Sequence, residues 1–187
     1  MANVGLSKPY YAIYTEENGS VTYSDGGVLG RATSVELSLD NADPTILYAD
    51  NGPAERASLF SGGTVTIGID ELNLNVAAAV LGLEPPSGTH IEFTADSVAP
   101  FVGLGFVTKK IYRGVTKYRA VVLYKAQFQI PGFSISTQGE SIEFETPELE
   151  AAIMRDDTAA GKWSSWNDFD TEALAEAFVK NALSIGG

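Results

Sequence analysis

The longest regular alternation of apolar and polar positions runs from Leu104 to Ile130. It contains two extended segments, Gly105–Arg113 and Val115–Ile130, which meet at Arg113-Gly114. A period of two sustained over this length, with many β-branched and aromatic residues, is typical of β-strands. The pattern therefore predicts a long β-hairpin.

The second arm of this hairpin has one face that is apolar throughout and a second face that is polar except at its centre. The apolar face carries Tyr118, Ala120, Val122, Tyr124, Ala126, Phe128 and Ile130. We assign that face to the protein's own core. A strand with an apolar patch on its polar face is often covered twice, so we expect the second face to contact a neighbouring chain or a second layer. Its candidate interface residues are Lys117, Arg119, Val121, Leu123 and Lys125.

The rest of the chain predicts further strands separated by turns. Residues 1–8 are expected to form an arm, and a strand at Pro9–Thr15 precedes an Asn-Gly turn. Leu29–Asp40 alternates cleanly, and another strand follows Ser61-Gly-Gly63. Phe133–Phe144 alternates with a change of phase at Gln138-Gly139, which is typical of a β-bulge.

Two segments show helical spacing instead. Asp70–Leu83 repeats its apolar residues at intervals of three and four and ends at Pro85-Pro86. Thr171–Leu183 has an apolar stripe and acidic residues at its start, where they favour the helix dipole. For Pro147–Met154 the pattern leaves strand and helix both open.

These elements predict a mostly β fold of the α+β type. We expect an antiparallel β-sandwich or barrel of about seven to eight strands with a flanking helix and a C-terminal helix. Residues 1–155 would form the β domain, with a protruding hairpin at about 41–56. Residues 156–187 would form a connector and the C-terminal helix.

Charge is unevenly distributed along the chain. The 187 residues include 24 acidic and 12 basic residues, for a net charge of −12. Such a field disfavours binding to nucleic acid and to anionic membranes. Six basic residues lie between Lys109 and Lys125 and eleven acidic residues lie between Glu140 and Glu176, so the two regions can be complementary within one chain or between copies. Glu143 and Glu145 are the acidic candidates for that interface.

Little in the sequence predicts catalysis or a cofactor. There is no cysteine, and the lone histidine, His90, lies in a predicted loop, so thiolate chemistry and multi-histidine metal sites are excluded. Gly103-Leu-Gly105 lacks the third glycine and the following helix of a phosphate loop, and we expect it to mark a kink or bulge. We therefore predict no enzyme, no cofactor and no metal site. No N-terminal apolar segment is visible, which predicts synthesis in the cytoplasm and no membrane partner.

A series of segments, taken in order, allows comparison with a known family. They are GLSKPYYAIYT, ATSVELSLD, ILYADNGPAE, SGGTVTIGIDEL, NVAAAVLGL, GFVTKKIY, KYRAVVLYKAQFQIP and SISTQGESIEFETPEL. The most specific of them are the YADN segment and the RAVVLYKAQF strand followed by a bulged acidic strand. Over about residues 4–170 this order of parts resembles the major tail protein, or tail-tube subunit, of long-tailed phages with non-contractile tails (siphophages).

The resemblance implies a structural virion protein. Its copies would form hexameric rings that stack into a tail tube, through which the genome passes without specific binding. Its other partners would be the tape measure, tail terminator and baseplate proteins. The hairpin at about 41–56 would bridge successive rings through Asp43, Ile46, Leu47, Tyr48 and Asp50.

An alternative from another class is a monomeric β-sandwich module that binds carbohydrate or a protein ligand. Such a module needs an exposed aromatic platform. The residues that could supply one are Tyr10, Tyr11, Tyr14 and Tyr23.

Overall fold

The computed structural model describes residues 2–41, 45–49, 52–57, 59–112, 114–132 and 146–186. These residues form eleven β-strands and two α-helices. The strands are β1 (Ala2–Leu6), β2 (Tyr10–Glu17), β3 (Ser20–Val28), β4 (Ala32–Asn41), β5 (Thr45–Ala49), β6 (Gly52–Ala57), β7 (Phe60–Ile69), β8 (Phe101–Tyr112), β9 (Val115–Phe128), β10 (Glu148–Met154) and β11 (Ser164–Phe169). The helices are α1 (Leu74–Leu81) and α2 (Glu172–Ala182). None of the described helices is long and apolar enough to cross a membrane.

Nine strands form one antiparallel sheet, of which seven follow the order β3-β2-β8-β9-β10-β7-β4 and two, β1 and β11, pair with β8 and β9 beside this path. The long hairpin is at its centre, and each of its arms has two partners along its outer edge. β8 pairs with β2 and then with β1, and β9 pairs with β11 and then with β10. The sheet brings β4, the last strand in the order, into contact with β1. The mostly β fold with a C-terminal helix is thus confirmed.

The main differences from the sequence-based elements lie at the two ends of the chain. Residues 1–8 were expected to form an arm, but Ala2–Leu6 is a strand paired with β8. Residues 156–161 were expected to be a connector, yet Asp156 is buried and its carboxylate accepts hydrogen bonds from Thr158 Oγ1 and Lys162 N. β11 and α2 then pack on the central hairpin, so residues 156–186 belong to the same folded unit as the strands before them. The predicted bulged strand Phe133–Phe144 lies outside the described residues.

A one-residue bulge divides β9 into two parts with opposite phase. Val102 pairs with Ala126 and Leu104 pairs with Leu123, so two steps on β8 match three on β9. Because side chains alternate between faces, the extra residue turns every side chain after it to the other side of the sheet. The uniform apolar face predicted for this arm is therefore wrong beyond the bulge.

Both faces of the hairpin are buried against other parts of the same chain. On one face Val121, Leu123 and Phe128 join the larger apolar cluster, which β7, β10 and α1 complete. On the other face Ala120 and Val122 join a smaller cluster beneath α2. The largest side chains of the first cluster that are almost fully enclosed are Leu29, Val65, Ile67, Ile69, Val80, Leu81, Val102, Leu104, Leu123, Leu149 and Ile153.

Local signals explain where the two helices begin and end. The Asn73 side chain accepts a hydrogen bond from Asn75 N at the start of α1, and Gly82 ends this helix in the left-handed conformation with φ 67°. Thr171 caps α2 by accepting a hydrogen bond from Leu174 N. Both helices fall within the segments that the apolar periodicity predicted.

Two glycines allow α2 to lie close to the sheet. A Cβ atom at Gly103 would collide with Leu183, and one at Gly105 would collide with Val179. Gly103-Leu-Gly105 therefore serves mainly as a flat surface for a helix, although the bulge on β9 does lie opposite Gly103. The glycine pair thus allows α2 to pack closely over the centre of the hairpin.

Candidate functional site

The histidine predicted to lie in a loop does so and is largely exposed. His90 Nε2 lies 3.0 Å from Glu92 Oε1, and both side chains face solvent. They line a shallow cavity of about 620 Å³ together with Glu84 and Asp96. Across the described part of the chain, no group of three histidine, aspartate or glutamate residues is placed to hold a metal ion.

The apolar pair predicted to contact a neighbouring subunit is buried inside its own chain. Val121 is 5% exposed and Leu123 is 0% exposed. The interface assignment of these two residues is therefore wrong. The β9 strand is covered on both faces, as the pattern suggested, but the second cover is part of the same molecule.

The basic residues of the predicted interface also find their partners within the chain. Lys117 pairs with Asp170. The Arg119 guanidinium donates two hydrogen bonds to Asp168, at 2.6 and 2.7 Å. Basic residues of β9 and acidic residues of the C-terminal third are thus complementary within one chain. Glu143 and Glu145, the acidic side of the predicted interface, lie outside the described residues.

Lys125 is held most completely of these cations. Its Nζ atom lies 2.5 Å from Asp157 Oδ2 and over the Phe101 ring, 4.3 Å from the centroid. Tyr14 donates a second hydrogen bond to the same carboxylate oxygen at 2.8 Å. Burial of Tyr14, together with Asp157, raises the pKa of its hydroxyl to about 12. This cluster joins β2, β9 and the segment before β11, so Lys125 stabilises the fold and is not available for a neighbour.

We expect the ion pairs of the C-terminal third to make the protein sensitive to acid. The hydrogen bond from Lys125 lowers the pKa of Asp157, and the hydrogen bonds from Arg119 lower that of Asp168. A lowered folded-state pKa contributes stability that is present above the ordinary carboxyl pKa of about 3.9 and is lost as the pH falls toward the folded-state value. Urea denaturation at a series of pH values should therefore show the free energy of unfolding decreasing below about pH 4.

The variant Asp168→Asn measures how much of this pH dependence comes from the Arg119–Asp168 pair. Asp168→Asn should lower the free energy of unfolding at neutral pH by about 1 kcal/mol or less, since the pair is partly exposed. The difference from the parent protein should disappear in acid, where both chains are neutral at this position. Asp96→Asn, in an exposed loop, is the matched control. Equal differences at neutral and acid pH for Asp168→Asn would contradict the assignment.

The predicted inter-ring hairpin exists as a structural unit. Ile46, Leu47 and Tyr48 lie on β5, which pairs antiparallel with β6 in a two-stranded sheet separate from the main sheet. Asp43 and Asp50 lie outside the described residues. The role of this hairpin between rings stays a prediction.

The outer side of β10, β7 and β4 forms a surface that the sequence analysis did not identify, and we call it the acidic face. Its residues stand in three rows across the strands, because the two registers align them. The rows are Glu148-Gly68-Ser34, Glu150-Thr66-Glu36 and Ala152-Thr64-Ser38. Apart from the glutamates, every side chain is small, and none of the nine is basic.

The acidic face is a consequence of strand alternation. In the paired stretches between the register shifts, odd-numbered residues such as Leu149, Ile67 and Val35 point into the larger cluster, so the even-numbered residues between them point outward. Glu148, Glu150 and Glu36 are exposed. Glu36 and Glu150 flank Thr66 and so lie two strand spacings apart, about 10 Å. At Gly68 a Cβ atom would collide with the hydroxyls of Thr33 and Ser34, which keeps this part of the face flat.

The acidic face ends at an edge of β4 that no described strand pairs with, although β1 approaches it, and we call this the open edge. β4 pairs with β7 along one side, and within the described ranges no strand pairs with its other side. β3 has the corresponding position at the opposite end of the sheet. An unpaired edge presents free N–H and C=O groups to another chain. Alternation in β4 and β7 was visible in the sequence, whereas β10 lies in the segment for which strand and helix were both left open. Only the register shows that the three strands form one face.

Comparison with known proteins adds no family assignment. No protein-family model matches the chain, and no curated protein matches it significantly.

Proposed function

We propose that this protein is a structural subunit of a siphophage tail tube. In this proposal its copies join into hexameric rings, the rings stack, and the virion's genome leaves through the lumen. The observation that carries the proposal is the acidic face beside the open edge of β4. The proposal makes that face part of the lumen wall.

The chemistry of the acidic face suits a surface that DNA slides past. Its glutamates repel phosphates, and none of its nine residues is a lysine or arginine, so the face lacks the cationic side chains that attract the DNA backbone. Serine, threonine, glycine and alanine are short, so they offer little that could obstruct a moving duplex. A ring of such faces would repeat the same charges around the lumen, where opposing walls strengthen the field.

The open edges supply a way to form the ring. An exposed edge strand is a liability in a free subunit and is removed when neighbouring sheets join and close into a barrel. The β5-β6 hairpin is separate from the main sheet and so can reach a neighbouring ring without disturbing it. The tape measure, tail terminator and baseplate proteins remain the expected partners at the lumen and the two ends of the tube.

Electron microscopy tests this function directly. Concentrated protein, alone and with the other tail components, should form rings or tubes in negative stain. A monodisperse monomer under both conditions would overturn the proposal. In tubes, Glu36→Lys with Glu150→Lys should retain double-stranded DNA that the parent tube does not retain, and retention should weaken with salt. Glu84→Lys with Glu92→Lys, in the exposed 82–98 loop, is the charge-matched control and should behave like the parent.

The carbohydrate-binding alternative depended on an exposed aromatic platform built from four tyrosines. Tyr10, Tyr11 and Tyr14 are buried, and Tyr23 donates its hydroxyl proton to the carbonyl oxygen of Tyr124 at 2.8 Å. Burial raises the pKa of Tyr23 as well. These four side chains pack the region around β2 and β3 and form no exposed platform.

A further inference from the structure

A groove of about 580 Å³ lies where β4 approaches β1, and we call it the seam groove. One wall is formed by β4 through Val35 and Leu37, and the floor is formed by β8, β9 and β11. Val35 and Leu37 contact the larger apolar cluster, which places this wall on the core side of the sheet, and Ser34 lines the groove where it meets the acidic face. It runs beside the open edge of β4.

Along the floor of the seam groove, successive rows of paired residues change from apolar to charged. Phe106, Val121 and Trp166 form one row across β8, β9 and β11. Thr108, Arg119 and Asp168 form the next row, and Lys110 lies opposite Lys117 in the row after that. Trp166 is 53% exposed although Val121 beside it is buried. The groove therefore has an apolar part that is still open and a cationic end.

Lys110 is the unusual residue of this end. It is only 7% exposed, and in the described structure it has no ion pair and no side-chain hydrogen bond. Among the described residues, no side-chain nitrogen or oxygen is fully buried without a hydrogen-bond partner. The Lys110 ammonium therefore keeps some exposure, and it lines the groove. Burial lowers the pKa of Lys110, and repulsion from Arg119 lowers it further.

The neighbouring charges neutralise Lys110 only in part, since Asp168 attracts its ammonium but is itself paired with Arg119. Arg119 uses both oxygens of Asp168, so these two residues form a closed pair. Lys117 is paired with Asp170. The end of the groove thus keeps an excess of positive charge, and a carboxylate there would offset the cost of burying the Lys110 ammonium.

We propose that the seam groove receives an extended segment of a second copy of this chain, which places a carboxylate at Lys110 and an apolar side chain against Phe106, Val121 and Trp166. Two observations favour a second copy. The open edge of β4 can form main-chain hydrogen bonds with an added strand. The chain carries 24 acidic against 12 basic residues, so another copy meets this cationic end with an excess of carboxylates. This contact deepens the tube function, because it names one joint of the ring.

Lys110→Met tests the contact without removing the bulk of the side chain. The variant loses the charge, so its melting temperature should equal or exceed that of the parent, which shows that it folds. Its self-association, measured by sedimentation over a range of concentrations, should be at least tenfold weaker. Lys109→Met is the matched control, since Lys109 is the exposed neighbour on the same strand, and it should associate like the parent.

A second measurement reports the contact in any oligomer, whether or not tubes form. Isotopically labelled and unlabelled copies are mixed and treated with a zero-length carbodiimide, which joins an amine directly to a carboxylate. Mixed-isotope crosslinks from Lys110 to a carboxylate of another copy are expected in the peptide mass spectrum. If the copies associate but no crosslink forms between Lys110 and a carboxylate of another copy, the proposal is overturned.

The two measurements separate this inference from the tube function. Tubes that form equally well with Lys110→Met would overturn the seam contact and leave the tube proposal standing. Small oligomers with Lys110 crosslinks but without rings or tubes would support the seam contact and overturn the tube proposal. A parent protein that stays monomeric and gives no crosslink between copies would overturn both.

Discussion

Leu123→Asp is expected to prevent the protein from folding. Leu123 is 0% exposed and packs in the larger apolar cluster at the centre of the long hairpin. Removing a buried leucine side chain costs about 2–5 kcal/mol by itself. Aspartate adds a polar group that has no partner there, which increases the cost. Since single domains are stable by only about 5–15 kcal/mol, the variant should lose most or all of its stability.

Circular dichroism and thermal melting of the purified or refolded variant provide the measurement. The matched control is Leu174→Asp, because Leu174 is 55% exposed and lies in the first turn of α2, where a negative charge favours the helix dipole. The control should melt within a few degrees of the parent. A cooperative, parent-like melt for Leu123→Asp would show that the residue lies on a surface and would restore the interface assignment that the structure corrects.

Removal of α2 is expected to have the next largest effect. Ending the chain after Asp170 uncovers the smaller apolar cluster, in which Ala120 and Val122 of β9 are 0% exposed beneath the helix. It also removes Val179 and Leu183, which are fully buried themselves. Burying a large aliphatic side chain is worth about 1.5–3 kcal/mol, and several are lost together. The truncated chain should aggregate or adopt an expanded state.

Dye binding and gel filtration distinguish these outcomes from a native fold. The truncated chain should bind an apolar fluorescent dye strongly and elute as aggregate or as a broad, expanded species. A chain that lacks only Gly186 and Gly187 is the control for an altered terminus and should behave like the parent. If the truncated protein kept the parent's melting temperature without binding dye, α2 would be an accessory element and not part of the core.

The long hairpin shows how far periodicity alone could reach. Alternation and the turn at Gly114 placed β8 and β9 within a few residues of their observed bounds. The bulge near Tyr124 was not visible, because a single added residue in an apolar stretch leaves a sequence that still alternates. β3 was missed for another reason. Its sequence, SVTYSDGGV, is mostly exposed in the structure and has two glycines, so it has little apolar signal.

The charged residues show a similar limit. The excess of basic residues on β9 and of acidic residues in the C-terminal third indicated complementary surfaces, but the sequence left open whether they meet in one chain or two. The register of β11 on β9 decides this, since it sets Asp168 opposite Arg119. Lys110, by contrast, resembles Lys109 and Lys117 in the sequence. Only the packing of the surrounding strands shows that Lys110 is buried and that Lys109 and Lys117 are not.

The sequence by itself determined many elements of this protein: the central hairpin, the two helices, the predominance of antiparallel strands and the acidic character of the chain. These properties are local, because they depend on side-chain alternation, on turn residues and on composition. The tertiary structure decided what covers each face of the hairpin, which ions pair, and which side chains form the acidic face and the seam groove. Those depend on register between strands far apart in the chain, and a shift of one residue in that register exchanges the buried and the exposed side of a strand.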